Sequence, residues 1–384
     1  MGFEFATANR ILFGNGVVAQ AGPIAAARGH HALVIFGSAR ERTNDLLALL
    51  VVNGVACSPF AVNGEPSVDL VVRGVAVARA AGCDLVVSFG GGSVLDAGKG
   101  IAALLTNEGE PLDYLEVVGR GQAITRQPAP HIAIPTTAGT GAEVTRNAVL
   151  GSPEHGVKAS MRSPLMLPSV AIVDPELTYS VPPSITATTG LDALTQLIEP
   201  YVSVRANPLT DALCVDGISR AARSLRQAWA EPNHVAAREE MALVSLYGGL
   251  ALANAGLGAV HGFAGPFGGM FNAPHGAICA ALLPHVTAVN VRALRARQPD
   301  GVAFDRYAQV ARLLTGDSQA GPGDAAPWLE QLIADLQVPT LRTYGLDKDR
   351  FAELIQKAAA ASSMKGNPIA LTSGELEDIL HLAL

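Results

Sequence analysis

Charge is scarce in this chain: Asp, Glu, Lys and Arg make up 16% of its 384 residues, with no block of like sign. Its 27 basic and 34 acidic side chains leave a net charge of −7. Nucleic acids and anionic membranes are held by basic patches, so neither is an expected partner. Cysteine is scarce too. Cys57, Cys83, Cys214 and Cys279 show no Cys-x-x-Cys spacing, which argues against a zinc finger or disulfide framework and for a reduced, cytoplasmic setting. The first residues carry no basic stretch before an apolar core, so no signal peptide is read there. No run is long enough to span a membrane; the Gly/Ala-rich stretch 248–260 reads as one buried helix.

What is present is apolar bulk, 49% of residues, in a chain long enough for two domains. So little surface charge favours a homo-oligomer. Strand signals at 31–38, 55–62, 84–89 and 131–135 alternate with helix signals at 43–52, 68–81 and 94–106. That alternation predicts a parallel sheet with right-handed crossovers and ligands at the carboxyl ends of its strands. Past Ser180-Val181-Pro182-Pro183-Ser184 the strand patterns stop and helical periodicity takes over. The expected organisation is an α/β domain over 1–182 and an all-α domain over 183–384.

Two constellations carry chemistry. In Leu85-Val86-Val87-Ser88-Phe89-Gly90-Gly91-Gly92-Ser93-Val94 a strand breaks at three glycines and a helix opens. The free N–H groups of a helix start favour an anion such as a dinucleotide pyrophosphate. Leu95 stands where the Rossmann fingerprint needs its last glycine, and Ser93 and Gly100 break the P-loop pattern. By spacing the turn is a generic phosphate site or a plain βα turn. Gly37 and the loop Thr136-Thr137-Ala138-Gly139-Thr140-Gly141 follow strands that end at the same edge. The second constellation is Asp192 and Gln196, four apart on one helix face, with His261 and His275 further on. One carboxylate with imidazoles suits Fe2+ or Zn2+, while isolated histidines are also common as structural residues.

These motifs resemble the iron-containing (group III) alcohol dehydrogenases from end to end. The matching stretches are Gly90 to Lys99, Ile134-Pro135-Thr136-Thr137-Ala138-Gly139-Thr140-Gly141-Ala142-Glu143-Val144-Thr145, Asp174-Pro175-Glu176-Leu177-Thr178, Thr189-Gly190-Leu191-Asp192-Ala193-Leu194, Leu257 to Gly276, and Asn367-Pro368. The resemblance implies a Rossmann-like N-terminal domain and an all-α C-terminal domain, a dehydroquinate synthase-like architecture. It implies hydride transfer between NAD or NADP and a small alcohol, aldehyde or ketone, with a divalent metal. Gly91, Gly92, Ser93 and Asp96 would hold the pyrophosphate, and Thr136, Thr140, Lys158 and Leu177 would line the rest of the dinucleotide. Asp192, His261 and His275 take metal-ligand and catalytic positions, with Gln196 as a further donor. Two residues depart from the family pattern: Gln196 and Gly265 stand where it usually has histidine. A metal-independent keto-acid reductase similar to maleylacetate reductase, or a silent NAD(P)-binding protein, are the alternative readings. Relatives that use NAD often carry aspartate after the first strand of the sheet; here Gly37 and Ser38 stand there, followed by Arg40 and Arg42, so NAD and NADP both stay open.

Overall fold

The computed structural model describes residues 2–37 and 40–384. Eight strands form: β1 (Ile11–Phe13), β2 (His31–Phe36), β3 (Ala56–Ala61), β4 (Leu85–Gly90), β5 (His131–Pro135), β6 (Asn147–Ser152), β7 (Val157–Arg162) and β8 (Val170–Val173). Six of them make one parallel sheet in the order β1-β8-β5-β4-β2-β3, and β6 and β7 form a separate antiparallel hairpin. The helices of this part are α1 (Ala21–Ala26), α2 (Arg40–Val52), α3 (Val68–Ala81), α4 (Gly92–Thr106) and α5 (Pro111–Tyr114).

Every residue of β4 is buried, because helices cover both faces of the sheet. Successive side chains alternate between those faces. Leu33, Ile35 and Val86 pack with α3 and α4 through Leu70, Val71 and Ile101. Ala32, Val34, Leu85 and Val87 pack with α1 and α2 through Ile24, Leu46 and Leu50. The close approach of α4 depends on Gly98, where a Cβ would lie 1.9 Å from Ser88 Oγ. From β2 the chain steps outward to β3, then returns to the other side of β2 to make β4. The order reverses between β2 and β4, and ligands of such sheets bind at the carboxyl ends there. Phe36 is level with Phe89, and Gly90 with Pro135, so the loops after β2, β4 and β5 leave the sheet together.

His131 opens β5 with its Nε2 2.9 Å from Ser88 Oγ. Burial, reinforced by the Lys99 cation, pushes its pKa down to about 3. The unfolded chain takes up this proton near pH 6.5 and the folded protein refuses it. Stability present above pH 6.5 is therefore lost as pH falls toward 3, by about 1.4 kcal/mol per unit. The expected result for His131→Gln is a shallower loss of urea stability than wild type between pH 7 and pH 4.

The remaining helices are α6 (Pro183–Val202), α7 (Pro208–Ala230), α8 (Val235–Ala255), α9 (Ala259–Phe271), α10 (His275–Arg297), α11 (Val302–Thr315), α12 (Ala325–Asp335), α13 (Phe351–Ala360) and α14 (Ser373–Ala383). Among the described residues no strand follows Ser180. The chain divides into two compact units: Ala6–Thr137 with Gly141–Tyr179, and Ser180–Leu384 with Ala138–Thr140 and the residues up to Phe5. The helical unit is built around α6, buried continuously from Gly190 to Val202. The stretch 248–260 is not one helix. Gly256 takes φ of 71°, α8 stops at Ala255, and α9 leaves at 98° to it. Among the described residues α10 has the length and composition to cross a membrane, and 83% of its apolar window is buried within the protein.

Candidate active site

The turn that closes β4 is held by backbone. Gly91 caps α4 from an extended conformation without a side chain, and no acidic residue stands in the first turn with Gly92 and Ser93. The first turn of α4 thus supplies no negative side chain of its own to its positive end, which is what an anion site needs. Thr136, buried after β5, donates its N–H to Gly90 O at 3.0 Å and locks the two loops together. Gly37 follows β2 directly; Ser38 lies outside the described residues. The Arg42 guanidinium is already bonded to the carbonyl of Leu177. Lys158, on β7, pairs with Glu65. Thr140 falls with the helical unit. Asp96 Oδ2 accepts the Val149 N–H at 3.0 Å, and Oδ1 pairs with the buried Lys99 ammonium at 2.8 Å. Its carboxylate ties α4 to β6, an arrangement hidden from the sequence because β6 is hidden.

In the helical unit four donors meet. Asp192 on α6 is 1% exposed, and its Oδ1 lies 3.4 Å from His261 Nε2 and 3.7 Å from His275 Nε2. Cys279 Sγ lies 3.6 Å from His275 Nε2 and 3.8 Å from His261 Nε2. All four donor atoms fall within 4.8 Å of one another. The sequence reading missed Cys279; its signal was the four-residue spacing from His275, which stacks both on one face of α10.

A second layer aims this cluster. Glu199 Oε2 receives His261 Nδ1 at 2.6 Å, which turns Nε2 toward the centre. Glu199 Oε1 accepts the Val260 N–H at 2.7 Å, and Asn367 Oδ1 accepts the Ala259 N–H at 3.2 Å. The start of α9 is therefore capped by two distant side chains, because Gly258 has none to offer. Glu199 was also missed, although Asp192, Gln196 and Glu199 follow the i, i+4, i+7 stripe of a helix. Gln196 does not join the donors through its nitrogen. Its Nε2 donates to Asp192 Oδ2 at 2.9 Å.

Burial would raise the Asp192 pKa, yet His275 and His261 beside it hold it below the usual carboxylate value. Burial likewise opposes charge on the imidazoles, but Cys279, Glu199 and Asp192 lift His261 well above its ordinary value. Cys279 and Asp192 lift His275 to about 9. The cluster draws positive charge to itself, as protons or as a cation. Asp192 Oδ1 and Gln196 Oε1 are buried and accept no hydrogen bond. A buried oxygen left without a hydrogen bond costs about 1–3 kcal/mol, and a divalent cation beside Asp192 Oδ1 would relieve that cost there. The donor set fits a metal. At Gly265, one turn beyond His261, an added Cβ meets nothing within 4 Å, so the position faces open space.

Comparison with known proteins agrees with this chemistry. Residues 8–175 match the iron-containing alcohol dehydrogenase family, and residues 186–384 match its C-terminal region. A probable alcohol dehydrogenase of Salmonella typhimurium is 36% identical over 382 residues, covering 97% of this chain and 92% of that protein. The crystal structure of a 1,3-propanediol oxidoreductase superposes with a TM-score of 0.92 at 34% identity, with full coverage of both chains. A sulfoacetaldehyde reductase from Bifidobacterium kashiwanohense, solved with NAD+, gives 0.88 at 30% identity over 100% of this chain and 99% of that one.

Proposed function

Because the chain belongs to the iron-containing alcohol dehydrogenase family, we propose that it interconverts a small alcohol and its aldehyde with a nicotinamide dinucleotide, at a centre built on Asp192, His261 and His275. The observation that carries this reading is the cluster of donors around Asp192 Oδ1, a buried oxygen that accepts no hydrogen bond. When bound, the metal supplies Lewis-acid polarisation of the substrate oxygen, and the nicotinamide supplies or accepts the hydride. The chain's own residues do the positioning. Glu199 fixes the ring of His261, and Gln196 fixes the carboxylate of Asp192. The half-exposed His275 is the imidazole of the set nearest to solvent. With Gly265 in place of a histidine, the alcohol proton leaves through solvent.

For the dinucleotide we propose the turn Gly91-Gly92-Ser93 as the pyrophosphate site, with Gly37, Thr136, Lys158 and Leu177 around it. Asp96 then serves by holding α4, since a carboxylate repels a pyrophosphate. β2 runs into Gly37 with no aspartate to repel a 2′-phosphate, so both NADH and NADPH are expected to serve.

Chelation should abolish aldehyde reduction, and Zn2+ or Fe2+ should restore it. Full activity in metal-free protein would point instead to a metal-independent reductase. The turn is tested by Gly91→Asp. An N-cap aspartate improves on glycine by only about a few tenths of a kcal/mol, and its Cβ would lie 3.3 Å from Thr137 Oγ1, so Tm should change little. NADH affinity should nevertheless fall at least tenfold by fluorescence titration; unchanged affinity would remove the pyrophosphate from this turn.

A further inference from the structure

We propose that Cys279 is the fourth protein donor of the metal centre, filling the place left by the histidine missing at Gln196, that the cation this set selects is zinc, and that the substrate oxygen enters as a fifth neighbour. The proposal rests on the reading of the cluster as a metal centre. Zinc bonds of about 2.0 Å to nitrogen or oxygen and about 2.3 Å to sulfur give a tetrahedron with edges of about 3.3 Å between nitrogen or oxygen atoms and about 3.5 Å to sulfur. Four edges of the cluster measure 3.4, 3.6, 3.7 and 3.8 Å. Cys279 is fully buried, so its sulfur faces these groups and not solvent.

Charge supports the same assignment. A thiolate and a carboxylate on the cation neutralise its two charges, and the Glu199 carboxylate behind them is occupied by His261 Nδ1 and the Val260 N–H. His261 donates its other nitrogen to Glu199 and so presents a neutral Nε2 inward. Gln196 is a positioning residue. Its amide holds Asp192 Oδ2, leaving Oδ1 to the cation, and neutral amide oxygen competes poorly with thiolate. Thiolate with imidazole favours zinc over ferrous iron.

Zinc-edge X-ray absorption of the zinc-loaded protein should show one sulfur at about 2.3 Å beside nitrogen or oxygen at about 2.0–2.1 Å. Cobalt-substituted protein should show a near-ultraviolet thiolate-to-cobalt band. Cys279→Ser should lose that band and bind zinc at least tenfold more weakly. Bound zinc with only nitrogen and oxygen neighbours overturns the role of Cys279 and leaves the centre standing. Protein that takes up neither zinc nor cobalt overturns the centre itself. Ferrous iron displacing zinc in anaerobic competition overturns the metal preference.

Discussion

Asp192→Asn should lower kcat/KM for aldehyde reduction by about a thousandfold and leave the purified protein without retained metal. Asp192 brings one carboxylate oxygen to both imidazoles, 3.4 and 3.7 Å away. The substitution keeps the shape of the side chain and removes its charge. An amide still packs on α6 beside Gln196, so the fold is preserved while the pull on a cation is gone. Lewis-acid polarisation contributes several kcal/mol to the transition state, and about 4 kcal/mol corresponds to a thousandfold in rate. Elemental analysis and steady-state kinetics on the same preparation decide the matter. Activity within tenfold of wild type would transfer the chemistry to a metal-free mechanism.

Gly366→Ala should lower Tm by a few °C and weaken metal retention although it touches no donor. A Cβ at Gly366 would lie 2.0 Å from the carbonyl oxygen of Leu257, backbone against backbone, where no rotamer change helps. Such overpacking costs about 1–3 kcal/mol, occasionally more, and in a chain of this size each kcal/mol is about 1–2 °C of Tm. The next residue is Asn367. Its Oδ1 accepts from Ala259, and its Nδ2 donates to Asn290 Oδ1 at 2.8 Å and to Ile369 O at 2.8 Å. Moving Gly366 moves this buried hub, and with it the first turn of α9 that carries His261. Gly374→Ala, with nothing within 4 Å of the added carbon, serves as the control and should leave Tm unchanged. Equal Tm for the two variants would refute the account.

The central strands were legible because a parallel sheet buried on both faces leaves uninterrupted apolar runs, as at Leu85–Gly90. β1 and β8, of three and four residues, are too short to leave such a run. The hairpin Asn147–Ser152 with Val157–Arg162 mixes polar and apolar residues in a pattern easily taken for loop. Asp192, His261 and His275 stood out by residue type. Cys279 did not, since a buried cysteine is ordinarily a small apolar residue, and only the fold brings its sulfur to the imidazoles. The break in 248–260 was written as Gly256-Leu257-Gly258, but a small-residue run also suits a tightly packed helix.

The borrowed capping of α9 has a consequence for the order in which the molecule assembles. Asn367 and Ala259 are separated by 108 positions, and Glu199 and Val260 by 61. That first turn gains its full capping only once α6 and the segment around Asn367 have both docked. A chain cut before Asn367 is expected to hold the start of α9, and with it the donor cluster, less firmly.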